Sequence, residues 1–146
     1  MHTSRRIMFL SSLLLANTAA LAAAPDFKEG EWGTRYRMEV VGAPFPMPPI
    51  TIKRSACLTR SNYVPDNSQQ GQDCQVRDTK VSGNTVSWVM RCKTREGSIE
   101  GHGKITYKKE SYSGTMETRM TSNDGSVMPM TYRYTMEGER LGACSK

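Results

Sequence analysis

Sulfur dominates the groups of this sequence that could do chemistry. There are ten methionines, four cysteines and only two histidines. Met1, Met8 and His2 fall in an N-terminal stretch that reads as a removable leader, which leaves eight methionines and one histidine, His102. A nucleophilic device needs a base held against its nucleophile by a third group. His102, between Gly101 and Gly103, falls on the outward side of its segment, without that company. Glu31, Glu39, Glu100, Glu117 and Glu137 also alternate outward, where hydration does little to turn a carboxyl into an acid catalyst. No glycine-rich phosphate loop leads a strand into a helix. The expectation is a protein that is not an enzyme and uses no cofactor.

The cysteines, Cys57, Cys74, Cys92 and Cys144, are separated by 17, 18 and 52 positions. Zinc sites are built from close pairs such as C-x-x-C, and these spacings offer none. An even count behind a secretory leader reads instead as two disulfides. Two pairings stand open: Cys74–Cys92 with Cys57–Cys144, or Cys57–Cys74 with Cys92–Cys144.

The methionines admit three readings. Methionine fills irregular gaps in a small core, which asks nothing of function. A methionine-lined concavity also repacks around apolar guests, which points to a binding module for a small apolar ligand or an envelope protein. Thioethers are, further, soft ligands for copper(I) or silver(I), and Met128-Pro129-Met130 has the spacing to present two sulfurs on one side of a strand. A purely structural role in the envelope is the remaining alternative.

The elements that must position these residues are strands. Throughout the mature region apolar residues recur with period two, the mark of a strand with one buried face. Trp32, Thr34, Tyr36, Met38 and Val40 share one face of the first strand. A proline-rich tip, Ala43 to Pro49, cannot join a ladder; it reads as a stiff hairpin end or a docking segment for a partner. The second strand covers about 50–59, and the polar stretch 60–73 reads as a loop or a short helical turn. Segments 74–81 and 85–93 form a hairpin through a three-residue turn at Ser82-Gly83-Asn84, which sets Cys74 opposite Cys92. Segments 98–107, 112–121 and 127–138 follow. The loop 108–111 pairs Tyr107 with Tyr112, Ile105 with Gly114 and Gly103 with Met116; the next turn is expected to set Met120 by Met128, Met116 by Tyr132 and Gly114 by Tyr134. Glycines facing large residues suit a tightly curved sheet.

The fold class is therefore all-β: a single antiparallel meander of about seven strands, a strongly curved sheet or small barrel, with two disulfides. Its concave face is predicted to carry Trp32, Tyr36, Met38, Trp88, Met90, Met116, Met120, Met128, Met130, Tyr132, Tyr134 and Met136.

Residues 1–24 have the basic start, apolar run and small-residue end of a cleaved signal peptide, leaving one domain over 25–146. The apolar run is too short and too interrupted for a membrane span. Arg5 and Arg6 leave with it, so 18 basic residues face 14 acidic ones, a net charge of +4. The charges of both signs are interspersed, unlike a nucleic-acid footprint. A periplasmic or secreted location is expected.

Several of these segments resemble the bacterial domain-of-unknown-function 3617 family. They are Gly30-Glu31-Trp32, the Pro/Met tip, Cys57-Leu58-Thr59, the Ser82 to Trp88 hairpin, Tyr112-Ser113-Gly114-Thr115-Met116 and the ending Gly138 to Cys144. Glu31 departs from the pattern, taking a position where the family more often has an apolar residue. The resemblance implies an exported β protein and no particular activity.

Overall fold

Period-two patterning builds seven strands in the computed structural model, which describes residues 24–65 and 72–145. They are β1 (Gly30–Val41), β2 (Ile50–Leu58), β3 (Asp73–Ser82), β4 (Thr85–Lys93), β5 (Gly97–Lys108), β6 (Ser111–Ser122) and β7 (Val127–Gly142). Residues 1–23 of the leader lie outside the described residues, as do 66–71 of the polar connection; the connection's described part, 59–65, makes a turn and no helix.

All seven belong to one antiparallel sheet, in the order β2-β1-β7-β6-β5-β4-β3. From β3 to β7 each strand lies beside its successor. The sheet then comes round on itself, because β1 docks against β7 over its whole length, from Glu31 opposite Gly142 to Val41 opposite Thr131. It stops short of closure: β2 and β3 are the two edges. Neighbours alternate in direction, so an odd count leaves both edges running the same way, and they cannot pair with each other as antiparallel neighbours.

The β1–β7 pair also decides the disulfides. Glu31 has Cys57 across from it on β2 and Gly142 on β7, so the chain after β7 reaches Cys57 round the start of β1. The bridges are Cys57–Cys144 and Cys74–Cys92. A meander traced from β1 to β7 without this closing pair would put Cys144 at the far end of the sheet.

Two registers differ from the sequence expectation, and both differences are bulges. The β3–β4 turn has two residues, Gly83 and Asn84, between the paired Ser82 and Thr85. That pairing alone would turn β3's side chains over to the wrong face. An irregularity between Arg77 and Lys80, where Asp78 takes a φ of 52°, restores Cys74 opposite Cys92 and leaves both Val76 and Val81 opposite inward residues. In β7, Thr121 pairs Val127 as the turn requires, but the register then shifts between Arg119 and Thr121. Met116 consequently faces Tyr134, and Gly114 faces Met136, rather than Tyr132 and Tyr134. Pro129 explains the shift, since it has no N–H for a ladder. The slip is of two residues, so the inward face is preserved.

Packing differs sharply between the two ends of the concave face. Around the starts of β1 and β6, Phe27, Trp32, Tyr107 and Tyr112 form a buried aromatic cluster with ring centroids 4.6–6.0 Å apart. Each such contact contributes about 0.5–1.5 kcal/mol beyond area burial. Leu58, Val86, Trp88, Ile105, Met116 and Met136 continue that core. The polar tips are all satisfied: Tyr107 Oη donates to the Tyr63 carbonyl at 2.5 Å, Trp32 Nε1 donates to the Lys28 carbonyl at 3.2 Å, and Thr34 and Tyr112 share a hydrogen bond of 2.5 Å. The opposite end is only half-buried.

Candidate functional site: the open end of the concave face

Cross-strand rows show which side chains meet there. One row runs Met90, Gly101, Thr118, Tyr132, Val40 from β4 to β1; its neighbour runs Trp88, Gly103, Met116, Tyr134, Met38. The two glycines allow the sheet to bend under large neighbours. A Cβ on Gly103 would lie 2.3 Å from the Trp88 ring, and one on Gly101 would lie 2.9 Å from the Thr118 methyl. Beyond these rows, Cys92, Ile99 and Met120 make a third.

Between the rows lies a cavity of about 240 Å³ lined by Met38, Gln72, Met90, Ile99, Thr118, Met120, Tyr132 and Tyr134. Among the described residues its wall holds no acid, lysine, arginine or histidine. Burial pushes the Tyr134 phenol upward in pKa, partly offset by its hydrogen bond with Thr118. Thr118, itself buried, thus presents its methyl side to the neighbouring glycine and has its hydroxyl engaged.

The twelve residues predicted for the concave face divide into two groups. Trp32, Tyr36, Trp88, Met90, Met116 and Met136 are buried in the packed core, Met90 at its boundary with the cavity. Met38, Met120, Tyr132 and Tyr134 are half-buried in the cavity wall, and Met128 and Met130 are half-buried at the β7 irregularity, outside that wall. Ile99 and Thr118 belong to the wall although the sequence reading did not single them out. Both obey the inward alternation of their strands, which is the signal that would have found them. Gln72 reaches the wall from outside any strand, and no periodicity marks it.

Larger hollows are less suited to holding an apolar guest, and those of about 540 Å³ beside Lys28, Arg60 and Glu110 and about 460 Å³ beside Arg37, Glu39 and Glu137 are walled by charges. One of about 450 Å³ lies beside Gly33 and is flanked by Arg35 and Glu137, which pair with each other at 3.4 Å, and by Lys53 and Glu139. Another of about 400 Å³ lies between 61–65 and β3. Of these last two, the first carries charge of both signs, and the second is edged by the polar side chains of Ser61, Asn62 and Thr79 as well as by Val64, Val76 and Trp88. His102 is exposed and bonded to Glu100 at 3.1 Å, and Arg91, 2.9 Å from the same carboxylate, together with His102 holds its pKa low.

Fold and site together define a seven-stranded antiparallel trough, sealed by aromatics at one end, bridged by two disulfides, and hollow at the other. Over residues 27–144 the chain matches the family described as protein of unknown function (DUF3617), and it belongs to that family. The matched span begins at Phe27 of the aromatic seal and ends at Cys144 of the longer disulfide. No curated protein and no solved structure matches the chain. Among the described residues, no helix is long and apolar enough to cross a membrane.

Proposed function

We propose that this is an exported, non-enzymatic binding module that holds one small apolar guest in the open end of its trough. The observation that carries the reading is the segregation of the methionines: those in the core are sealed, while Met38 and Met120 stand half-exposed around a cavity whose wall has no charged group among the described residues. Size narrows the guest. A dry cavity of roughly 150 Å³ accommodates benzene, and drug-sized ligands occupy roughly 300–1,000 Å³. About 240 Å³, open at one side, suits one or two rings or a short stretch of acyl chain, with the rest of a larger guest projecting from the mouth. Export is supported by the leader pattern of residues 1–24 and by two disulfides, which persist in oxidising compartments. The absence of catalysis is inferred from the exposed setting of His102 and from the bridged cysteines.

Native mass spectrometry of protein purified from the periplasm, followed by titration with N-phenylnaphthylamine, tests the proposal. A co-purifying apolar adduct, or saturable dye binding that Ile99→Phe weakens, supports it. Bare protein with no saturable binding overturns it.

One observation favours a second reading. Met38, Met90 and Met120 reach the same cavity from three strands, a thioether set suited to copper(I) or silver(I). Competition with bicinchoninate for copper(I), with Met38→Leu and Met120→Leu alongside Met128→Leu and Met130→Leu, separates it from the first.

A further inference from the structure

We infer that Met38 and Met120 are peroxide-modification sites whose oxidation empties the cavity; the inference rests on the apolar-guest reading above. The methionines form a graded series. Met136, Met116 and Met90 are 1%, 2% and 6% exposed, whereas Met47 on the proline tip is 44% exposed. Met38 and Met120 lie between these extremes, half-buried in the cavity wall. A peroxide entering the open end meets those two sulfurs first; Met90 touches the same cavity but is only 6% exposed, and Met116 and Met136 lie outside its wall.

The chemistry balances simply. The thioether sulfur attacks the peroxide O–O bond and takes one oxygen; the other leaves as water with both protons. Sulfur loses two electrons and the peroxide gains them. The product is a polar sulfoxide in place of an apolar thioether. Among the described residues no cationic side chain lines the space to pair with it; the polar groups of the wall are those of Gln72, Tyr132, Tyr134 and Thr118, the last two engaged with each other. Water follows the new oxygen into the wall, and an apolar guest is displaced. By linkage the guest, when bound, shields the same two sulfurs. Met47, which is not in the cavity wall, gains no shield and serves as an internal control.

The experiment treats the mature protein with graded hydrogen peroxide, with and without saturating N-phenylnaphthylamine, and reads each methionine by peptide-mapping mass spectrometry. Dye affinity is measured before and after. Met38 and Met120 are expected to oxidise after Met47 but well before Met90, Met116 and Met136. Dye should slow Met38 and Met120 by about fivefold or more and leave Met47 unchanged. Oxidised protein should bind the dye about tenfold more weakly. In Met38→Leu with Met120→Leu, peroxide should leave the dye affinity at that variant's own untreated value. If untreated protein binds but keeps its affinity once both residues are sulfoxides, the inference fails while the guest reading stands. If untreated protein binds no dye, the guest reading itself fails and takes the inference with it.

Discussion

Tyr112 lies directly over Gly138, its cross-strand partner, so closely that a Cβ at position 138 would fall 2.1 Å from the ring. The glycine is what lets the aromatic seal close, with the ring filling the gap a missing side chain leaves. Gly138→Ala therefore forces Tyr112 out of its place in the cluster. We expect a loss of about 1–3 kcal/mol, as for other overpacked cores, measured by urea unfolding. Gly142→Ala, at a position with no atom within 4 Å of a built Cβ, is expected to stay within about 0.5 kcal/mol of the parent.

The same tyrosine bonds Thr34 at 2.5 Å, and both are buried. Among the described residues no buried side-chain nitrogen or oxygen lacks a partner, so removing one member orphans the other. Tyr112→Phe should cost about 1–3 kcal/mol, and adding Thr34→Val should recover part of that loss, because removing both polar groups is cheaper than stranding one. A double-mutant cycle in urea reads the coupling; purely additive losses would show that the bond contributes nothing.

Stability should fall in alkali for a related reason. Burial pushes the phenols of Tyr107 and Tyr112 far above their ordinary range, and that of Tyr134 upward. In the unfolded chain these groups ionise near pH 10, while the native ones keep their protons. Below about pH 10 the native advantage is fully present; above it the unfolded state binds fewer protons and stability declines with rising pH. Each fully protected phenol steepens the decline by about 1.4 kcal/mol per pH unit. Urea midpoints across that range should drop, and Tyr107→Phe should flatten the slope.

The bridges should differ in worth. Cys57–Cys144 spans 87 residues and Cys74–Cys92 spans 18. Loop-closure entropy alone gives about 4.5 and about 3 kcal/mol respectively. The shorter bridge joins residues already opposite each other in a ladder, while the longer one ties the tail after β7 to β2 round the start of β1. Replacing Cys57 and Cys144 by serine should lower the thermal midpoint more than replacing Cys74 and Cys92.

Much of this architecture was legible because alternation is a local property. Trp32, Tyr36 and Met38 declare an inward face without reference to any partner, and the turn at 108–111 fixes Tyr107 opposite Tyr112 and Gly103 opposite Met116 as expected. Partner choice between distant strands leaves no such trace. Nothing in the period of β1 says that it lies beside β7, and the Cys144 position follows only from that pairing. The bulge in β7 was half-signalled by Pro129, which announces a broken ladder but not a two-residue slip. Phe27, outside every strand, completes the aromatic seal by stacking on Tyr107 at 4.6 Å, and no periodicity marks it. The division of the methionines into sealed and half-exposed depends on where along the trough the aromatics pack, which is a tertiary outcome.

That division gives the most direct separation of core from site. Ile99 pairs with Met120 across β5 and β6 and lines the cavity, half-buried. Ile99→Phe places extra carbon in space that is otherwise unfilled, so the fold should tolerate it and the thermal midpoint should hold or rise. Its effect should appear in binding, as a loss of about tenfold or more in N-phenylnaphthylamine affinity, equivalent to at least about 1.4 kcal/mol. Met136→Ala is the converse. Met136 is fully buried in the core and outside the cavity wall, and its truncation should cost about 2–5 kcal/mol of stability while the protein that remains folded binds dye with nearly parental affinity. If Ile99→Phe destabilises as Met136→Ala does and leaves affinity untouched, the hollow end is packed core in solution and the guest has no place there.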